Sequence, residues 1–223
     1  NMADSLNVSV PVGKDSLSMK VNWKEGQSEH TVTSPMTLNI SSFSNVNDLN
    51  KSVTPELSES DTTLLHLWAH SDKYRLGGSA LYQSFKLYGG ATPDIDDANQ
   101  FKVLFEATQE LLDKDFIEAL HDISDGGLIT SLIEMALCSN QGLDINLDYS
   151  DKEQLVPKLF SEEIGLVIEV KNEKLESVRN YLNEKELFFE NIAKKNDKKK
   201  ININCFKEEV FSEDLITLSL IHI

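Results

Sequence analysis

An acidic turn followed by two glycines is the stretch that most constrains how this chain can fold. The segment His121-Asp122-Ile123-Ser124-Asp125-Gly126-Gly127 follows an apolar lead-in and precedes apolar residues at helical spacing. This order predicts a strand, a sharp turn at the glycines and then a helix, with Ser124 or Asp125 as the N-cap.

The residue types in this turn also suit a phosphate ligand. Glycines let backbone N–H groups approach a ligand closely, and the N-terminus of a helix favours an anion. Asp122 and Asp125 would repel a bare phosphate, so this chemistry needs a divalent cation between carboxylate and phosphate. From spacing alone, an Asx turn that merely caps a helix explains the segment as well.

Two further segments are candidates for contact with phosphate. Leu76-Gly77-Gly78-Ser79 is a second glycine turn, with Ser79 as its predicted N-cap. Because both glycine turns open helices, they could present backbone donors to one ligand. Gly13-Lys14-Asp15-Ser16 resembles part of a P-loop but lacks its spacing, so a tight turn with an extended lysine is an equal alternative.

The overall composition argues against several classes of protein. The 223 residues carry a net charge of −16, whereas a nucleic-acid groove needs a basic face. No apolar run approaches the roughly 18 residues of a membrane span. Cys138 and Cys205 have no Cys or His neighbours at metal-ligand spacing, which indicates neutral thiols of a cytoplasmic protein. His66 and His70 flank Trp68, but a zinc site normally takes three protein ligands, so we favour a structural role.

Strands and helices alternate along the chain, which predicts an α/β or α+β domain. The predicted strands are residues 6–12, 37–43, 64–68, 143–147, 166–170, 201–206 and 209–211, and the predicted helices are 101–114 and 173–183. The polar stretch 44–61 is interpreted as a connection with a boundary near Leu57. Residues 194–200 contain five lysines and are predicted to form a solvated hairpin loop.

Five motifs occur in a fixed order: Pro11–Met19, Ser34-Pro35, Leu76–Ser79, His121–Leu128 and Phe160–Gly165. Together they resemble the long, single-chain form of phosphoribosylformylglycinamidine synthase (FGAM synthase), a glutamine-dependent amidating ligase of purine biosynthesis. The resemblance implies an AIR synthase/PurM-like fold with a mixed sheet. Residues 1–57 would end an N-terminal-type subdomain, 58–217 would form the C-terminal α/β subdomain, and 218–223 would be a non-native tail.

The resemblance also implies cofactors and sites. It assigns Asp122 as a magnesium ligand and Ser124 as a contact of ATP or ADP, in an auxiliary rather than a catalytic site. The other residues expected near the nucleotide are Gly126, Gly127, Lys14, Ser16, Gly77, Gly78 and Ser79. No catalytic residue is expected in this chain, and Ile123 stands where the family often has a basic residue.

The family context implies partners within a longer chain. An upstream synthase half and a C-terminal glutaminase domain would complete the enzyme, and neither nucleic acid nor membrane is expected as a partner. No Gly-x-Cys-x-Gly motif of a glutaminase occurs in the sequence. We therefore expect these 223 residues alone to lack amidating activity. The alternatives are a purely structural half, or another PurM-like ATP-dependent enzyme such as a small-molecule kinase or an AIR synthase.

Overall fold

The computed structural model describes residues 2–14, 19–34, 37–46, 48–69, 73–147, 152–206 and 208–219. They fall into two compact units, Asn1–Leu49 and Asn50–Ile223. Among the sequence predictions, those for Ser16, Pro35, His70 and residues 220–223 lie outside the described residues. No helix in the described part of the chain is both long and apolar enough to cross a membrane.

The first unit differs from the prediction. It contains α1 (Met2–Leu6) and an antiparallel hairpin of β1 (Lys20–Glu25) and β2 (Ser28–Thr33). The strands predicted at 6–12 and 37–43 are wrong, because the described residues there are helical or irregular. Their alternating apolar side chains are exposed, Val10 by 76% and Leu38 by 83%. Since β-propensity reflects packing against neighbouring strands, alternation alone does not produce a strand here.

Within the described residues of the second unit, seven strands form one mixed sheet. The strands are β3 (Thr62–Trp68), β4 (Ala119–Asp122), β5 (Gly142–Leu147), β6 (Gly165–Lys171), β7 (Phe188–Asn196), β8 (Lys200–Cys205) and β9 (Glu208–Asp214). Their spatial order is β4-β6-β3-β7-β5-β8-β9. All neighbours are antiparallel except β5 and β8.

Helices cover both faces of this sheet. They are α2 (Ala80–Ser84), α3 (Ala98–Asp113), α4 (Gly127–Ser139), α5 (Leu155–Phe160), α6 (Leu175–Glu184) and α7 (Leu215–Ser219), with short 3₁₀ turns at Leu49–Lys51 and Lys152–Gln154. The mixed sheet with helices confirms the predicted fold class.

The central strand β3 shows why the core has two sides. Leu64 packs into the cluster beneath α4 and α5, whereas Leu65 and Leu67 pack into the opposite cluster beneath α3 and α6. All seven residues of β3 are buried. A strand covered on both faces appears in the sequence as a continuous apolar run, and this explains why the strand predicted at 64–68 is confirmed.

The hairpin predicted at 194–200 is wrong, because β5 lies between β7 and β8. Lys195, in particular, is not a solvated surface residue. Its Nζ lies 2.9 Å from Oε1 of Glu169, a residue with no exposed surface. Glu169 also accepts hydrogen bonds from Ser58 N–H at 2.9 Å and Thr62 Oγ1 at 2.6 Å, so it holds the segment before β3 against the sheet.

Leu57 and Leu218 lie where the subdomain boundary and the non-native tail are predicted. Leu57 is buried in the core of the second unit, and its N–H donates to Ser139 Oγ at 2.9 Å. Leu218, in α7, packs partly buried against the same core cluster. The boundary and the tail remain predictions.

A second buried ion pair, between Lys158 and Glu190, lies beside His66. His66 is on the same face of β3 as Leu64. His66 Nδ1 lies 3.1 Å from Oε1 of Glu190, and the Lys158 ammonium pairs with this same oxygen. The Lys158 side chain has no exposed surface, and its Nζ lies 5.5 Å from the ring centre of Trp68. We call His66, Lys158 and Glu190 the Lys158 cluster.

The Lys158 cluster changes the pKa of two of its members. Burial lowers the pKa of His66 below its ordinary 6.5, because the charged ring would lose its hydration, and the charge of Lys158 lowers it further. Burial alone would raise the pKa of Glu190, but its hydrogen bond with His66 and the charge of Lys158 together bring it below 4.5. The folded protein therefore favours a neutral His66 and an ionised Glu190.

Acidification should destabilise the second unit in two stages. As the pH falls below about 6.5, the unfolded chain protonates His66 while the folded chain, with the lowered pKa, does not, so stability falls. Glu190 adds a second loss below about 4.5, because its folded carboxylate resists protonation. The urea midpoint measured by circular dichroism should therefore be lower near pH 5.5 than near pH 7.5.

Substitutions of His66 and of a control histidine, His30, test whether His66 causes this loss of stability. His66→Gln keeps a donor for Glu190 but no longer titrates, so the loss between about pH 7.5 and 5.5 should shrink. His30→Gln is the control, since His30 lies in the first unit and its side chain is 41% exposed. An undiminished loss in His66→Gln would contradict the assignment.

Removal of one partner of the Glu169–Lys195 pair should strongly destabilise the second unit. Glu169→Gln leaves the Lys195 ammonium buried with only carbonyl oxygens around it, which should lower the free energy of unfolding by about 3–5 kcal/mol. Glu106→Gln is the control, because Glu106 forms an exposed pair with Lys102 at 3.8 Å that contributes about 0.5 kcal/mol or less. Urea unfolding at neutral pH gives both values, and equal losses would disprove the prediction.

Candidate functional site

The strand β4 delivers Asp122 to the edge of the sheet. The Ile123 N–H donates to the Gly165 carbonyl at 3.0 Å, and Ser131 Oγ donates to the Asp122 carbonyl at 2.8 Å. These bonds fix the backbone while the Asp122 side chain stays 71% exposed. Its carboxylate is therefore available to a ligand from solvent.

The turn after Asp122 is built differently from the prediction. Helix α4 begins at Gly127, and its N-cap is Gly126 at φ 87°, without any side-chain capping bond. The prediction of Ser124 or Asp125 as N-cap is therefore wrong. The Gly127 N–H donates to the Ser124 carbonyl at 2.9 Å, and this tight turn places a glycine at the cap and leaves the side chains of Ser124 and Asp125 exposed.

Gly127 is required by the close approach of another segment. A Cβ at this position would lie 2.7 to 2.8 Å from backbone atoms of Leu159, Phe160 and Ser161. No side chain fits there without moving the end of α5. The turn we call the first glycine loop, residues 122–127, is therefore packed directly against the segment that follows α5.

The second glycine loop, residues 76–79, matches the prediction more closely. Ser79 is the N-cap of α2, as predicted, and its hydroxyl accepts from the Tyr82 N–H at 3.3 Å. The same hydroxyl donates to the Leu76 carbonyl at 2.7 Å, and Ser79 is fully buried. Gly77 is buried, and its N–H donates to the Ala91 carbonyl at 2.8 Å, whereas Gly78 is exposed.

The sheet topology brings the two glycine loops together. Strand β6 lies between β3 and β4 and runs antiparallel to both. Trp68, at the end of β3, pairs with Gly165, and Asp122 pairs with the next residue of β6, Leu166. The two loops follow β3 and β4, so the segment that enters β6 lies at the same edge of the sheet as both of them.

One side chain of that entering segment joins the loops. Glu162 Oε1 accepts hydrogen bonds from the Ala80 N–H at 2.8 Å and from the Gly126 N–H at 2.9 Å. The amide of Ala80, the first residue of α2, and the amide of Gly126, the N-cap of α4, thus point at a single oxygen atom. Both glycine turns are expected to present donors to one ligand. For these two amides the acceptor is instead a carboxylate of the chain itself, and the ligand stays a prediction.

The neighbouring Glu163 anchors the same segment. It is 3% exposed and receives Arg75 Nε at 2.6 Å, the second guanidinium nitrogen at 2.7 Å and the Arg75 N–H at 3.1 Å. The hydrogen bond to Glu163 is the main reason that the pKa of Arg75 is raised. Arg75 also contacts Asp96 at 3.1 Å, and a hydrogen bond from Lys73 is the main cause of the lowered pKa of Asp96.

The sequence had offered only weak signals for these contacts. Glu162 and Glu163 belong to the motif Phe160–Gly165, but two adjacent acids before a strand do not by themselves indicate a role. Arg75 was missed, although an arginine directly before a glycine turn was the available signal. Lys14 lies in the first unit with its side chain exposed.

The residues around Asp122 fit magnesium better than zinc. Within the described ranges, no three His, Cys, Asp or Glu residues lie close enough together to hold a metal ion. A zinc site normally takes three protein ligands, whereas magnesium binds through one or two carboxylates together with phosphate oxygens and water. The exposed Asp122 carboxylate can supply one such ligand.

Two open cavities differ in their relation to this site. One of about 380 Å³ adjoins the second glycine loop and is lined by Gly78, Gln83, Lys86, Leu87, Tyr88 and Gly89. A larger one of about 500 Å³ lies beside α7 and contains none of the predicted site residues. The smaller cavity is within the size range of small-molecule sites.

Solved structures with a similar fold come from Thermotoga maritima. PurL complexed with FGAR has a TM-score of 0.69 and 15% identity, over 98% of this chain and 36% of PurL. Phosphoribosylformylglycinamidine synthase II has a TM-score of 0.66 and 13% identity, over 98% of this chain and 34% of its own. PurL complexed with ATP has a TM-score of 0.62 and 15% identity, over 86% of this chain and 28% of PurL. The chain thus spans about a third of the proteins whose fold it shares.

Two family models match separate parts of the chain. Residues 68–205 match the model described as AIR synthase related protein, C-terminal domain, and residues 1–45 match the FGAR-AT PurM_N-like domain. The first match covers more than half of the chain and includes both glycine loops. The chain therefore belongs to the AIR synthase-related family, and its two matched domains confirm the predicted resemblance to FGAM synthase.

Proposed function

We propose that this chain is the part of an FGAM synthase that holds ADP or ATP with magnesium in an auxiliary site. In this proposal Asp122 binds the cation, and the cation links the phosphates to the two glycine loops. The supporting observation is the shared oxygen of Glu162, since it shows that the amides at the start of α2 and α4 converge on one point.

The charges of the site support a magnesium–phosphate complex over a free phosphate. Asp122, Asp125 and Glu162 place three carboxylates around the two loops. A bare phosphate would be repelled there, whereas magnesium, when bound, neutralises phosphate charge and needs only one or two carboxylates from the protein. In this proposal Ser124, whose side chain is exposed, donates to a phosphate oxygen.

The glycines and Ser79 have distinct roles in this proposal. Gly126 and Gly78 let the backbone approach the phosphates, because they adopt positive φ values of 87° and 76°. Gly127, at 74°, would act less directly, by holding the first loop against the backbone after α5. Gly77 and the buried Ser79 shape the second loop, since the Ser79 hydroxyl already donates once and accepts once within the turn. For Lys14 and Ser16 the proposed contact with the nucleotide rests on the family resemblance alone.

The reaction itself belongs to the proposed full-length enzyme. There, ATP would phosphorylate the formamide oxygen of the substrate, and ammonia released from glutamine would displace the phosphate. Three solved relatives are described as PurL complexes with ATP, ADP and AMPPCP, which supports a nucleotide as the ligand class. The upstream synthase half and the glutaminase domain are the proposed partners, in the cytoplasm.

A structural half without nucleotide turnover is the second candidate. It is favoured by the bonds of Glu162, because the amides of Ala80 and Gly126 are satisfied by the chain's own carboxylate. In that case the two loops would serve only to hold the fold together, and substitution of Asp122 would have little effect on the affinity for a nucleotide.

The affinity for Mg-ADP tests Asp122 directly. Asp122→Asn should raise the dissociation constant on the order of tenfold or more, because the amide neutralises the proposed cation ligand. Asp125→Asn is the matched control, since Asp125 is also exposed in the same loop, and it should change the affinity about twofold or less. Isothermal titration calorimetry with and without magnesium gives both values.

The outcomes of this titration separate the candidates. Weaker binding in Asp122→Asn alone, together with a lost magnesium requirement, supports the proposed site. Equal affinity of Asp122→Asn and the unchanged chain for Mg-ADP would refute the role of Asp122 and favour the structural half.

We also expect the chain alone to form no amidine. The proposed reaction needs the first synthase half, because the resemblance places the main active site in that half. Incubation with substrate, ATP and ammonium, followed by mass spectrometry of the product, tests this, with a complete FGAM synthase as the positive control. Amidine above the level without protein would show that the catalytic groups lie within these residues.

A further inference from the structure

We infer that Glu162 is a positioning residue that sets the spacing between the two glycine loops and thereby their affinity for a magnesium–nucleotide. The inference rests on the proposed function for its ligand. It goes further by assigning the control of loop spacing to a side chain outside both loops.

The geometry of the two hydrogen bonds is the first argument. Both end on Oε1 of Glu162, one from Ala80 at 2.8 Å and one from Gly126 at 2.9 Å. Two donors that share one acceptor atom are necessarily close neighbours. Both donors are backbone amides, so the carboxylate acts on the position of the loops themselves.

The second argument is that the backbone carrying Glu162 is held on both sides. On one side the Ser161 N–H donates to the Pro157 carbonyl at 2.9 Å, and Gly127 packs against the Phe160–Ser161 backbone. On the other side Glu163 is fixed by the paired hydrogen bonds of Arg75. A carboxylate on so constrained a backbone can define a distance, whereas one on a loose loop would follow the amides.

The third argument is that Glu162 is partly exposed, unlike Glu163. If its carboxylate is removed, water can reach the two amides, so the cost in stability is small. The loops, however, lose their common acceptor and can separate. Loop spacing and global stability should therefore respond differently to substitution.

Three substitutions test this in the whole chain. Glu162→Ala removes the acceptor, and Glu162→Asp shortens the side chain so that it reaches the two amides poorly. Glu162→Gln keeps an acceptor oxygen at the same distance and should rescue the spacing. Glu106→Ala is the control, because Glu106 is an exposed acid on α3 that pairs with Lys102 and contacts neither loop.

The first measurement is hydrogen exchange of individual amides without nucleotide, followed by NMR. Exchange of the Ala80 and Gly126 amides should become about tenfold faster or more in Glu162→Ala and Glu162→Asp. It should stay within about twofold in Glu162→Gln and in the control. Amides in the middle of β3 should be unchanged in all variants, which excludes general unfolding as the cause.

The second measurement is the affinity for Mg-ADP. The dissociation constant should rise on the order of tenfold in Glu162→Ala and Glu162→Asp and about twofold or less in Glu162→Gln. Unchanged exchange at both amides in Glu162→Ala would overturn the positioning role. Faster exchange in Glu162→Ala without a loss of Mg-ADP affinity, in a chain that binds the nucleotide, would also overturn it. A failure of Glu162→Gln to restore both the slow exchange and the affinity would do the same.

A failure of the proposed function would look different. In that case the unsubstituted chain binds no Mg-ADP, while Glu162→Ala still exchanges faster at both amides. The control of loop spacing by Glu162 would then stand, and the nucleotide would be the wrong ligand.

Discussion

A single carboxylate oxygen shared between the starts of two helices determines the arrangement of this site. Glu162 can fill this role because β6 lies between β3 and β4 and runs against both, so that its entry is next to both of their exits. The glycine loops follow from the same topology. The first turns sharply from β4 into α4, where Gly127 touches the backbone after α5, and the second leads directly into α2. Sequence-distant segments therefore meet here because of the order of the strands, and not because of any one motif.

The buried charges near this edge of the sheet hold the segment that carries Glu162. Lys158 belongs to α5, directly before the segment that carries Glu162, and its ammonium pairs with Glu190 of β7 inside the core. This pair attaches α5 to the sheet, while Glu163 and Arg75 attach the other end of the segment. Buried pairs are not a general source of stability, because desolvation offsets much of their attraction. They do fix geometry, and here they fix the backbone on which the spacing of the two loops depends.

Some of this structure could be predicted from the sequence, and the successes share a physical cause. The apolar run of β3 and the Ser79 cap reflect local sequence directly, since burial on both faces and a short hydroxyl side chain leave few alternatives. The failures involve partners that are distant in the chain. In the segment predicted as a strand at 6–12, Val10 is 76% exposed, and Lys195 is buried beside Glu169, which lies across the sheet. Glu162 is of this second kind, which is why two adjacent acids gave no indication of their separate tasks.

The use of a carboxylate as the common acceptor has an electrostatic consequence. A carboxylate of the chain itself satisfies amides at two helix starts without any ligand. If the proposed nucleotide binds there, no binding energy is spent on ordering the loops. The same negative charge, together with Asp122 and Asp125, opposes a bare phosphate at the same place. In the proposed function, these three carboxylates would favour a cation-bound phosphate over a free one through charge alone. The ordering of the two loops, by contrast, depends on Glu162, whose position is determined by the order of three strands.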